Sequence, residues 1–295
     1  MTMARPLFDA GFLKKLEILR LTSNRIYHGQ GRGEHSTVKM GTSLEFSDYR
    51  NYQVGDDFRY IDWNIFSRLD RLFLKVFTAE EDLSIHILLD TSQSMAFGEP
   101  PKIDYAKRVA AALGYIGLSN LDRVGITTFA DGIQDSMSPR RGRDHFLGLL
   151  DYCEHLMCSG ETDFNRALME YSFRSRRAGL AIVISDLLDP KGFERGLEAL
   201  HFARYDILLL QILDEEDVRP TYTGVVRLRD LETSQEQRLT IDEFLLARYR
   251  ERIQQWCSQI EDFCLKSQIE YLRASTLIPF EDLILKYLRH GIHLQ

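Results

Sequence analysis

Short apolar runs taking turns with helix-patterned stretches constrain the fold of this chain more than any other feature. Residues 83–89, 124–129, 180–185 and 206–213 each read as a strand buried on both faces. Between them, 102–119 carries Ile103, Ala106, Val109, Ala110, Leu113 and Ile116 on one helical face. Further helices fit 142–157, 163–174 and 191–203, and a last strand and helix fit 269–274 and 279–290. Such alternation implies βαβ units, a mostly parallel sheet and helices on both faces. Residues 7–23 look like an amphipathic helix, and 36–46 and 71–77 like short strands. A two-strand excursion spans 224–241, followed by a helix whose capping box is formed by Thr240 and Glu243. The expected division is 1–80, a helix plus accessory β segment, and 81–295, an α/β domain. The accessory β-rich layer is expected to be shared between 24–80 and 224–241.

Chemistry gathers at the strand ends. Asp90, Ser92 and Ser94 directly follow the run 83–89, Thr162 lies in a polar loop, and Asp186 closes the run 180–185. Open α/β sheets bind ligands at that carboxyl edge. Two carboxylates and three hydroxyls supply the oxygen ligands that a hard cation such as Mg²⁺ takes, with Mn²⁺ or Ca²⁺ as alternatives. A loop curling around an ion suits the two-residue spacing of Asp90, Ser92 and Ser94. On a continuing strand the three would spread over ~13 Å. The blander account makes the serines helix caps and Asp186 a mere strand end; all five at matching strand ends favours the metal.

Asp90-x-Ser92-x-Ser94, Thr162 and Asp186 together resemble the metal-ion-dependent adhesion site of von Willebrand factor A domains over about 82–215. A longer stretch is similar to the bacterial domain-of-unknown-function fifty-eight family: Glu45-Phe46, Arg50-x-Tyr52, Gly55-Asp56-Asp57-x-Arg59-x-Ile61-Asp62-Trp63 and Arg68. The second resemblance implies a von Willebrand A (Rossmann-like) core and genes beside MoxR-type AAA+ ATPases. It thus implies an adaptor or co-chaperone that helps such an ATPase remodel a client protein, with a partner's Asp or Glu completing the metal shell. Two positions depart from the adhesion pattern. Glu161 precedes Thr162 where Gly is frequent, so its carboxylate could close the open position, and Gln93 replaces a frequent Gly.

Other functions find less support. Asp90 at a strand end suits a Mg²⁺-dependent phosphohydrolase, but such enzymes need Asp-x-Asp and Ser92 stands in the third position. No G-x-x-x-x-G-K-S/T loop is present, and Gly29-x-Gly31-x-Gly33 lacks the strand and helix of a dinucleotide fingerprint. The chain is therefore expected not to be an enzyme. A net charge of -7 disfavours nucleic acid, despite Arg140-Arg141-Gly142-Arg143 and Arg174-x-Arg176-Arg177. The first cluster could lie near the metal edge and attract an acidic partner. The carboxylates of 55–63 beside Arg50, Arg59 and Arg68 read as an ion-pair and turn network with Trp63 packed beneath it. His86 reads as a core histidine, and Cys153, Cys158, Cys257 and Cys264 as reduced thiols. No apolar run approaches the ~18 residues of a membrane span, and none resembles a secretory leader. A cytoplasmic protein is the expectation.

Overall fold

The structure is a computed structural model and describes residues 7–29, 44–53, 55–79, 83–174, 178–232 and 235–290. Its elements run α1 (Ala10–Gly29), β1 (Leu44–Asn51), α2 (Trp63–Leu69), β2 (Phe73–Ala79), β3 (Ser84–Asp90), α3 (Lys102–Ser119), β4 (Arg123–Phe129), β5 (Ile133–Arg140) and α4 (Arg143–His155). They continue with α5 (Phe164–Arg174), β6 (Leu180–Ser185), α6 (Glu194–Phe202), β7 (Asp206–Leu213), α7 (Glu215–Val218), β8 (Gly224–Arg229), β9 (Glu236–Ile241), α8 (Glu243–Lys266), β10 (Glu270–Ser275) and α9 (Phe280–His290).

Six strands form the main sheet in the order β10-β7-β6-β3-β4-β5. All pairs are parallel except β4–β5, which is antiparallel. Alternate side chains of β3 sort the core into two layers. Ile85, Ile87 and Leu89 pack with α1, α3, α4 and α9, while Leu88 joins the residues of α5, α6 and α8. This is the expected doubly covered, mostly parallel sheet. Strand β5 was not expected. Its sequence Ile-Gln-Asp-Ser-Met-Ser-Pro-Arg is largely exposed and carries Pro139, a composition tolerated only at an edge.

The chain divides into one compact unit up to Gly29 and from Leu83 onward, and a second between Gln30 and Asp82. Helix α1 thus belongs with the larger unit, not with residues 30–80 as expected. The reason is burial: Phe12, Leu16 and Leu19 enter the main core, where Phe12 meets Phe280 with ring centroids 5.3 Å apart. Within the smaller unit, β1 and β2 pair antiparallel, and Asp62 caps α2 through the amides of Asn64 and Ile65. The carboxylates there do form ion pairs. Arg50 grips Asp56 at 2.7 and 2.8 Å, Arg59 pairs with Asp57, and Lys75 with Asp62. Trp63, expected beneath that network, is instead 60% exposed.

Strands β8 and β9 pair with each other as a separate two-stranded sheet. Among the described residues, therefore, the expected sharing of one accessory layer by β1, β2, β8 and β9 is not seen: each pair is a sheet of its own. The cap of α8 is Asp242, which accepts from the Leu245 amide, rather than Thr240, which stays in β9. His86 is buried with Nδ1 2.7 Å from the Tyr171 hydroxyl, and all four cysteines are free. Gly31, Gly33, Arg176, Arg177 and residues 36–43 of the strand expected over 36–46 lie outside the described residues, while 44–46 fall in β1.

Candidate metal centre

Asp90 ends β3 fully buried, and the chain turns immediately. The Thr91 amide donates across to the Phe129 carbonyl at 2.8 Å, and the Ser92 amide folds back onto Asp90 Oδ1 at 2.9 Å. A single 3₁₀ turn over Gln93–Ala96 follows, pinned by fully buried Met95. The result is a curl rather than an extended strand, with the Ser92 and Ser94 hydroxyl oxygens 3.1 Å apart.

Two backbone bonds bring the Thr162 loop to this curl. Ser159 N–H donates to the Thr91 carbonyl at 2.9 Å, and Gln93 N–H donates to the Gly160 carbonyl at 3.1 Å. Strand β6, parallel to β3, delivers Ser185 and Asp186 alongside. The Ser185 hydroxyl donates to Asp90 Oδ2 at 2.6 Å. Burial, and then the charge of nearby Asp186, push the Asp90 carboxyl up to about 7. Asp90, Ser92, Ser94, Thr162 and Asp186 therefore belong to one sheet edge.

Four residues at this edge were not foreseen. Lys102, first residue of α3 and 1% exposed, sends its ammonium to Asp186 Oδ2 at 2.8 Å and to Asp217 Oδ2 at 2.9 Å. Asp217 belongs to α7, whose capping box with Asp214 fixes it. Ser185 is the third. The fourth, Glu232 between β8 and β9, accepts from the Thr162 hydroxyl at 2.6 Å and from the Thr162 amide at 3.0 Å. Glu161, whose carboxylate was a candidate to close the position, is exposed. A lysine opening an alanine-rich helix reads in sequence as a solvated first turn, so only Lys102's position just after the Asp90 loop could have marked it.

The basic cluster 140–143 lies elsewhere. Arg140 pairs in register with Val124 near the amino end of β4, whereas the candidate centre sits at that strand's carboxyl end. The antiparallel run of β5 carries it there, so it offers no steering cations at the metal edge.

The donors fit a hard cation. Ser92, Ser94 and Thr162 bring neutral oxygens, and Asp90 is held only by neutral donors, an amide and a hydroxyl. Asp186 keeps Oδ1, which accepts from the Leu188 amide, on the side not taken by Lys102. Among the described residues no three His, Cys, Asp or Glu side chains gather as a metal cluster, so a shell here would combine the two carboxylates with hydroxyls and water.

Comparison with known proteins follows the same lines. The family model described as protein of unknown function DUF58 matches residues 48–258. An uncharacterized protein of Mycobacterium tuberculosis is 29% identical over 239 residues, 79% of this chain and 75% of that one. An uncharacterized Mycobacterium avium protein is 42% identical over 67 residues, 23% of this chain and 39% of that one. Among solved structures, an aerotolerance-related membrane protein from Bacteroides fragilis aligns with TM-score 0.45 and 14% identity, covering 70% of this chain and 99% of that one. The SpRpn10 VWA domain aligns with TM-score 0.38 and 11% identity over 70% and 94%. The fold is a mostly parallel α/β sheet with helices on both faces.

The expected cytoplasmic placement is not upheld by these comparisons. The Bacteroides fragilis protein is described as a membrane protein, and a Vibrio fischeri neighbour, with TM-score 0.25 and 16% identity over 73% and 100%, as membrane spanning. Lack of a long apolar run says nothing about where a chain is attached. Among the described residues no helix is long and apolar enough to cross a membrane.

Proposed function

We propose that this chain, which belongs to the DUF58 family, is a Mg²⁺-dependent protein-interaction module that carries no catalysis of its own. Asp90, Ser92, Ser94, Thr162 and Asp186 would hold the cation, Mn²⁺ and Ca²⁺ being the alternatives. A bound ion would supply a positive centre only partly neutralised by two carboxylates, and so a seat for one more anionic oxygen. The partner proposed is a MoxR-type AAA+ ATPase, with a client protein donating the Asp or Glu. One observation supports this reading above the rest. Buried Asp90, perturbed by Asp186, faces the paired hydroxyls of Ser92 and Ser94 with neutral donors alone.

The chain's own residues perform three tasks. Ser185 and the Ser92 amide orient the Asp90 carboxylate. Lys102 pairs with buried Asp186 and with half-buried Asp217, so one ammonium ties the strand end to α7. The bonds from Ser159 and Gln93 hold the Thr162 loop in register with the curl.

Asp90→Asn tests the reading better than a change at Asp186, because removing Asp186 also strips a partner from buried Lys102. Asparagine in place of Asp90 keeps a similar shape and removes the metal-binding charge. Co-elution with the MoxR-type ATPase of the same genome should require Mg²⁺, disappear with chelator and disappear in Asp90→Asn. Binding that persists in all three arms would end the proposal.

A further inference from the structure

We infer that Glu232 is the chain's own occupant of the seat that a partner's acid would take, and that the segment from α7 through the β8–β9 hairpin is a strap closing the centre. The inference rests on the reading of the metal centre given above and concerns how that centre is regulated. Its basis is a two-point grip. Both oxygens of the Glu232 carboxylate engage Thr162, one through the hydroxyl and one through the amide, across 70 residues of sequence. A carboxylate held on the hydroxyl of a candidate ligand is the chemistry that an incoming Asp or Glu would bring.

The strap has a firm base and a light tip. At the base, Asp217 is tied to buried Lys102, the same ammonium that holds Asp186, and the Tyr249 hydroxyl donates to the Asp217 carbonyl at 2.9 Å. Asp214 caps α7 and accepts from Thr276 at 2.8 Å. Toward the tip, β8 and β9 pair as a two-stranded sheet of their own, and most of their side chains are exposed. Asp230 N–H donates to the Gln235 carbonyl, and Asp230 Oδ1 accepts from the Glu232 amide at 2.9 Å. Releasing Glu232 gives up its two hydrogen bonds to Thr162 and leaves the ties of the base in place. Exposed Val225, Leu228 and Leu231 on the hairpin would travel with it.

A tethered carboxylate competes at an effective concentration of about millimolar or more. An external acid must displace it, so the closed form lowers apparent affinity in proportion. The test uses the full chain as wild type, Glu232→Ala and Glu232→Gln. Deuterium exchange at the Thr162 amide is read without metal, and water-proton relaxation of added Mn²⁺ is titrated with acetate as the acid probe. In Glu232→Ala, Thr162 should exchange about tenfold faster or more. Acetate should then displace Mn²⁺-bound water at a concentration about tenfold lower than in wild type. Glu232→Gln keeps one acceptor oxygen, which can take the Thr162 amide while its NH₂ donates to the hydroxyl oxygen, so it should protect Thr162 nearly as wild type does, yet yield to acetate as Glu232→Ala does. Unchanged exchange and an unchanged acetate curve in Glu232→Ala would overturn the inference. If no form binds Mn²⁺ while Thr162 exchange still responds, the metal reading has failed and Glu232 is a structural clasp, which overturns the inference by a separate route.

Discussion

Two groups of carboxylates in this chain, built from the same residue types, meet opposite fates. In the smaller unit, Asp57 pairs with Arg59 at 2.8 Å while their side chains are 38% and 77% exposed. The Arg59 hydrogen bond holds the Asp57 carboxyl below the ordinary range. At the edge of the main sheet, Asp186 and Lys102 are each 1% exposed, and Asp90 is fully buried with its carboxyl pushed up instead. Water stabilises the first group whether or not the pair is made. In the second, every charge must find its compensation within the protein or in a bound cation. Clustered carboxylates in a sequence are therefore ambiguous until burial is known.

Lys102→Met breaks this contrast hardest. It would leave Asp186 and Asp217 facing a methyl group, and removing one partner of a buried ion pair costs about 3–5 kcal/mol. Urea unfolding should show that loss as a lower midpoint with an unchanged slope. The double variant Lys102→Met with Asp186→Asn should lose less than the two single losses added together, because the charges are coupled. Strict additivity would mean that the ammonium does not serve Asp186 at all.

How far these two regions could be read in advance follows from the same physics. Strands β6 and β7 matched their expected limits, and β3 lay within one residue, because both faces are buried and the apolar runs are continuous. Asp90, Ser92, Ser94 and Asp186 were visible because they stand at the end of a strand or in its adjoining loop, whereas Thr162, between helices α4 and α5, was visible only through the resemblance. Lys102 and Glu232 were not, since their partners lie 84 and 70 residues away and the contacts depend on tertiary packing. Polar β5 was hidden for a related reason: edge strands avoid the alternating pattern that would announce them. The exposed pairs of the smaller unit were legible because Asp57 and Arg59 are two residues apart.

A smaller effect sharpens the contrast through pH. The native Asp90 carboxyl keeps its proton up to about 7, while the unfolded chain releases it near its ordinary 3.8. Between those values the native state binds the additional proton, so this group's contribution to stability falls as pH rises and levels off above the native value. In metal-free protein, melting temperature followed across that window should carry this downward component, and Asp90→Asn should remove it. Proton and cation compete for the same oxygens, so Mg²⁺ affinity measured by calorimetry should rise with pH until about pH 7 and then flatten. A Mg²⁺ affinity independent of pH across this range would show that Asp90 is not a ligand.

The smallest effect comes from the exposed side of the comparison. Arg59→Ala removes a guanidinium that bridges only to its near neighbour Asp57, in a pair screened by water and salt. Asp57 would keep its cap on the short turn Phe58–Tyr60, because that bond comes from the Arg59 main-chain amide, which alanine also supplies. Urea midpoint and melting temperature should stay where they are, at low and at moderate salt alike. Mg²⁺ should bind the variant as it binds wild type, since all five ligand candidates belong to the other unit. A loss approaching that of Lys102→Met would mean the pair is desolvated by something other than this chain, and burial would no longer distinguish the two groups.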